Sequence, residues 1–103
     1  MDIATTHHID CSEKDAAGFC EYYYEYDIFR FSEGSFTLVA RGYTDSPSEA
    51  HFLRIEREGV IERISEADLR TPLALAAADH LRSLGRRKID WLGPVGYAPV
   101  TIQ

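Results

Sequence analysis

Cysteine occurs twice in this chain, at Cys11 and Cys20. That is too sparse for a disulfide-stapled scaffold, and no export signal accompanies the pair: the sequence opens Met1-Asp2-Ile3, without a basic stretch or an apolar segment. Long hydrophobic runs are also missing, none approaching the roughly 18 residues of a membrane span. The expectation is a cytoplasmic protein with reduced thiols and no membrane partner. The phosphate-cradling glycine loop, the His-Glu-x-x-His pair, the Gly-x-Ser-x-Gly elbow and the Cys-x-x-Cys pair are absent, and with them the chemistry each supports. Bases are in deficit, the formal net charge being −6, which disfavours a nucleic-acid backbone as partner because phosphates reward clustered Lys and Arg. The deficit is local. Residues 1–33 hold eight acids against two bases, Lys14 and Arg30, whereas the remainder holds nine of each.

What is present makes one domain, residues 1–103, with 45% hydrophobic and 27% charged residues, an ordinary globular balance. His7, His8, Cys11 and Cys20 are of zinc-binding type. Adjacent histidines diverge on an extended chain, however, and no second half-site follows, so no metal or cofactor is expected. Residues 1–20 carry little period beyond Ile3 and Ile9, which suit one face of a short strand. Cys11–Gly18 reads as loop or a helical turn, and the whole segment as a less ordered acidic arm.

The densest strand signal is Tyr22-Tyr23-Tyr24-Glu25-Tyr26-Asp27-Ile28-Phe29-Arg30-Phe31, where Tyr, Ile and Phe supply seven of ten positions. Ser32-Glu33-Gly34 then turns the chain back into Phe36–Arg41. A two-residue Glu33-Gly34 loop would force positive φ on Glu33, so a three-residue loop with Gly34 alone left-handed is expected. That loop pairs Ile28 with Leu38, Tyr26 with Ala40 and Glu25 with Arg41. It makes Tyr22, Tyr24, Tyr26, Ile28, Phe36, Leu38 and Ala40 the core face, and leaves Tyr23, Glu25, Asp27, Phe29, Thr37, Val39, Arg41 and Tyr43 on the other.

Ser46-Pro47-Ser48-Glu49 has the form of a capped helical turn. A second hairpin is expected at Arg57-Glu58-Gly59, with Ile55 facing Ile61, Arg54 facing Glu62 and Phe52 facing Ile64; helix over 47–57 is the competitor. Ser65 caps a short helix. Thr71-Pro72 starts the main one, with an apolar stripe at Leu73, Ala76, Ala77, His80, Leu81 and Leu84 and a left-handed cap at Gly85. Arg86-Arg87-Lys88 complements the helix C-terminus. Ile89–Leu92 reads as a short strand and Gly93–Pro99 as an ordered loop. The fold class is therefore α+β: an antiparallel meander of four to five strands, near 22–31, 36–44, 52–57, 60–64 and 88–92, with helix 72–84 packed on one face.

The expected function is that of a non-catalytic module that binds a basic protein. The composition is similar to that of the small acidic immunity-type inhibitors with which bacteria mask a basic enzyme or toxin, a likeness that touches no particular residue. Tyr23, Glu25, Asp27, Phe29, Arg41 and Tyr43 form the expected binding face, because acids steer encounter and aromatics anchor it. The competing expectation is a small-molecule or catalytic domain with a pocket between the sheet and the C-terminal loop. It would use His51, if an acid from a neighbouring strand meets it, or His80, with Trp91 and Tyr97.

Overall fold

A computed structural model describes residues 1–11 and 23–100. Among these residues seven strands form one mixed sheet in the order β1-β2-β3-β4-β6-β7, with β5 paired to the outer half of β4. The strands are β1 (Asp2–Cys11), β2 (Tyr23–Glu33), β3 (Phe36–Tyr43), β4 (Glu49–Arg57), β5 (Val60–Glu62), β6 (Lys88–Gly93) and β7 (Gly96–Pro99), and one helix, α1 (Pro72–Ser83), follows a 3₁₀ turn at Asp68–Arg70. The class is α+β as expected, with more strands. No helix among the described residues is long and apolar enough to cross a membrane.

The first hairpin turns on Gly34-Ser35 and pairs Glu33 with Phe36. Glycine thus takes the first central position of a two-residue loop, at φ +60°, where its missing Cβ removes the strain that a Glu33-Gly34 loop would impose. The expected register is corrected by three residues, so Ile28 faces Arg41 and Tyr26 faces Tyr43. An odd shift moves every β2 side chain to the other face. Phe29 and Phe31 therefore enter the core beside Leu38 and Ala40, and Tyr24, Tyr26 and Ile28 share the opposite face with Arg41 and Tyr43. The second hairpin uses the other solution: Glu58 and Gly59 both have positive φ, 51° and 81°, so Ile55 faces Glu62 and Arg57 faces Val60, one residue from the expected register.

Residues 49–57 are strand, which decides against helix. Phe52 and Ile55 both reach the core although three residues apart, because the register with β3 shifts between Ala40↔Phe52 and Val39↔Arg54. The irregularity leaves Leu53 as the extra residue and resets the alternation. Ahead of β4, two successive turns closed by Ser46 N–H to Tyr43 O and Glu49 N–H to Ser46 O replace the expected helical turn.

β4 to β6 is the parallel step that the meander did not anticipate, Ala50 pairing with Ile89 and Phe52 with Trp91. Parallel neighbours need a long crossover, and α1 lies in it. Thr71 caps α1 by accepting from the Ala74 N–H, with Pro72 in the first turn. Gly85, at φ +88°, closes it: its N–H reaches Arg82 O and the Arg86 N–H reaches Leu81 O, a Schellman pair. Leu73, Ala74, Ala77, Ala78 and Leu81 form the buried face, whereas Leu84 is exposed. The stripe is rotated from the expected one toward Ala74 and Ala78. Residues 93–99, expected as loop, continue β6 through a tight turn into β7, Gly93 pairing with Gly96.

Two polar fixtures hold the helix to the sheet. Asp68, nearly buried, accepts from the Ser65 N–H and Oγ and from Arg57 Nη2 at 2.8–2.9 Å, joining the end of β4 to the 3₁₀ turn. Arg86, also nearly buried, donates from Nη1 to the carbonyls of Tyr43, Ser46 and Glu49. Its guanidinium lies 5.7 Å from the Phe29 ring centroid and fills the space above Gly42. Read from sequence as a solvated complement to the helix end, it is an internal strut.

Candidate functional site

The β1–β2 pairing creates a surface that the sequence did not reveal. β1 runs antiparallel to β2 for ten continuous pairs, from Asp2↔Ser32 to Cys11↔Tyr23, and every residue of β1 is exposed. Odd positions of both strands share the helix side of the sheet. His80 of α1 packs edge-on to Phe31 and Arg86 covers Phe29, and beyond Phe29 no element among the described residues covers this face. Ile9, Tyr23, Glu25, Asp27 and His7 occupy it, with Ile9 and Tyr23 each 56% exposed.

His7 is clipped between two acids. Its Nδ1 stands 2.7 Å from Asp27 Oδ1 and its Nε2 3.0 Å from Glu25 Oε2, and Glu25 also accepts from Tyr23 Oη at 2.9 Å. The bond to Asp27, opposed by desolvation and aided by the charges of both carboxylates, raises the His7 pKa above its ordinary value. The folded ribbon therefore binds the His7 proton more tightly than the unfolded chain does. The clip's stabilisation is complete below the ordinary histidine range and is lost as pH rises through the raised value.

The opposite face carries a second cluster. Arg41 lies 4.9 Å from the Tyr43 ring and 5.9 Å from that of Tyr26, and donates from Nη2 to Tyr97 Oη at 3.2 Å. His8 stacks on Tyr26, whose hydroxyl donates to Asp10, a bond that raises the phenol's pKa. His51 meets an acid from the neighbouring strand: its Nδ1 is 3.7 Å from Asp90 Oδ2, and its ring is 5.0 Å from that of Tyr97. His51 Nδ1 and Arg41 Nε are buried atoms without a hydrogen-bond partner among the described residues. Farther along this face, Arg30 and Arg54 grip Glu56 above the fully buried Val39. Burial alone would raise the Glu56 pKa; the two guanidiniums outweigh it and hold the carboxyl below its usual range.

The six residues read as one binding face are thus divided. Tyr23, Glu25 and Asp27 lie together on the open ribbon, Phe29 on the same side is 2% exposed and belongs to the core, and Arg41 and Tyr43 lie on the reverse. The competing set is divided too. His51 and Tyr97 come together, while His80 and Trp91 face the helix side, Trp91 within the core. A depression of about 270 Å³ does lie beside the β6–β7 turn, but its lining is Leu53, Arg63, Leu92, Gly93, Pro94 and Gly96, without a histidine. In the sequence nothing points to Asp90 as the partner of His51, because nothing local marks a parallel pairing. By residue type His7 reads as a metal ligand; the alternation Ile3-x-Thr5-x-His7-x-Ile9 is the signal that puts it on a strand face.

His7 and His8 point to opposite faces and serve different partners, so they do not share a ligand set. Cys11 is exposed and free, Cys20 lies outside the described residues, and no group of three potential ligands suited to a metal ion occurs among those described. Comparison of the chain with protein-family models, with curated proteins and with solved structures finds no match.

Proposed function

We propose that this chain is a non-catalytic protein-binding module that masks a basic partner, in the manner of an immunity-type inhibitor, through the helix-side face of the β1–β2 ribbon. The observation that carries the reading is the exposure of Ile9 and Tyr23 around Glu25 and Asp27 on a face beyond the cover of Phe29. Carboxylates accelerate encounter with a cationic surface, and half-exposed aromatic and aliphatic side chains beside them supply the anchors that slow dissociation.

Affinity capture from the native host's lysate, at low and then high salt, tests the reading and supplies the partner for kinetics. Glu25→Lys with Asp27→Lys should slow association about tenfold or more and flatten its salt dependence, and Tyr23→Ala should act mainly on the off-rate. Association should quicken as pH rises through the raised His7 pKa, because the imidazolium between Glu25 and Asp27 then loses its charge; His7→Gln should remove that dependence. Retention of no protein at either salt, or capture indifferent to the double lysine change, sinks the proposal.

The orphaned His51 Nδ1 and Arg41 Nε favour a second reading, in which a small anionic ligand binds at His51, Asp90, Arg41 and Tyr97. A ligand at about one hundred times its dissociation constant would add roughly 2.7 kcal/mol of stability. Thermal shift against small carboxylates and phosphates should then show a gain that disappears in His51→Gln and Tyr97→Phe. No gain with any anion at millimolar concentration removes this reading.

A further inference from the structure

The two edges of the sheet are built differently. β7 is four residues long, opens at Gly96 and closes at Pro99, features that keep an edge from recruiting another strand. β1 is ten residues of Asp-Ile-Ala-Thr-Thr-His-His-Ile-Asp-Cys, all exposed, with no Lys, Pro or Gly and no bulge in its register with β2. Among the described residues nothing pairs with its outer side. A long, regular, unguarded edge is a template for another strand.

We propose that the occupant is a second copy of this chain, added antiparallel through β1 in a two-fold dimer, an inference independent of the masked-partner reading above. Two antiparallel edge strands related by symmetry share an axis normal to the sheet. That axis keeps each face continuous, so odd residues must oppose odd and even oppose even. Of the registers this leaves, the one centred on His7 supplies no pair of opposite charge, and the one centred on Thr6 sets Asp2 against Asp10, repelling twice. Centring on Thr5 instead places Asp2 opposite His8 twice on the open face. Ile3 then opposes His7, and Met1 opposes Ile9, on the helix side. A register centred on Ile9 would also set His8 opposite Asp10 twice but spans only His7–Cys11 of β1. The acid–histidine pairs together with the longer pairing therefore select the Thr5-centred register, which spans Asp2–His8 of both copies and leaves Tyr23, Glu25 and Asp27 uncovered.

Sedimentation equilibrium of the isolated full chain from about 1 to 100 µM should report twice the 11.7 kDa chain mass. Thr5→Lys sets two ammonium groups together at the axis and should return the chain to monomer while the far-ultraviolet circular dichroism is retained. Asp2→Arg alone and His8→Asp alone should each raise the dimer dissociation constant about tenfold, since each acts twice. The double exchange Asp2→Arg with His8→Asp restores the opposed charges and should bring the constant back to within about threefold of the parent. A monomer at 100 µM, a dimer unmoved by Thr5→Lys, or a double exchange no better than the single changes would each overturn the proposal. The assay contains no partner, so its outcome is separate from that of the capture experiment.

Discussion

Leu81→Asp should abolish the cooperative unfolding transition at 25 °C. Leu81 is fully buried between α1 and the sheet, in a cluster with Phe29, Phe31, Leu38 and Ala77. Removing its side chain costs about 2–5 kcal/mol for lost transfer and cavity. A carboxylate put in its place has no cationic partner in that cluster and adds several kcal/mol more. Together these approach the roughly 5–15 kcal/mol that holds a domain folded. Leu84→Asp is the paired control. The sequence set Leu84 on the same apolar stripe, yet it is 52% exposed, so its replacement should fall within about 0.5 kcal/mol of the parent. A parent-like melting temperature for Leu81→Asp, or an equal loss for Leu84→Asp, would contradict the rotated helix face.

Arg86→Ala should lower stability by about 2–4 kcal/mol, read as a fall in melting temperature of about 10 °C or more. The guanidinium gathers three carbonyls from the β3–β4 connection, the nearest at 2.8 Å, and replaces water for all of them. Arg86→Lys should recover little, because an ammonium lacks the flat guanidinium that lies against Phe29 and over Gly42. Gly42→Ala approaches the same strut from the other side. A Cβ there would stand 2.5 Å from Arg86 Cζ, and the guanidinium cannot retreat without breaking its bonds. The two substitutions should be strongly non-additive, since Arg86→Ala removes the group with which the new methyl collides. Full additivity would mean that Arg86 and Gly42 do not share a packing site.

Local chemistry determined a good deal. The Thr71-Pro72 start and the Gly85 stop of α1 are set by groups within a few residues, a capping oxygen and a left-handed backbone. Both were therefore legible, as were β2, β3 and the strand character of residues 52–57. Registers were less so. Gly34 and Gly59 follow the same Glu, yet one hairpin sets its glycine first in the turn and the other second. Only the competition of whole strands for the core decides between them, and for β2 that decision placed Phe29 inside and divided the expected binding face.

The ribbon and the strut lay beyond the sequence for a different reason. β1 is stabilised by ladder bonds to residues 12 to 30 positions away and buries no face of its own, so its apolar signal was faint. Arg86 looked like one base in a run of three until Gly42 opened a space for its guanidinium forty-four positions upstream. The sequence by itself determined the helix with its caps, the α+β class, the acidic first third and the residue types available for binding, because those depend on composition and near neighbours. Tertiary structure alone decided the hairpin registers, the parallel β4–β6 step, the clip on His7 and the meeting of His51 with Asp90, because each depends on which distant strands lie side by side.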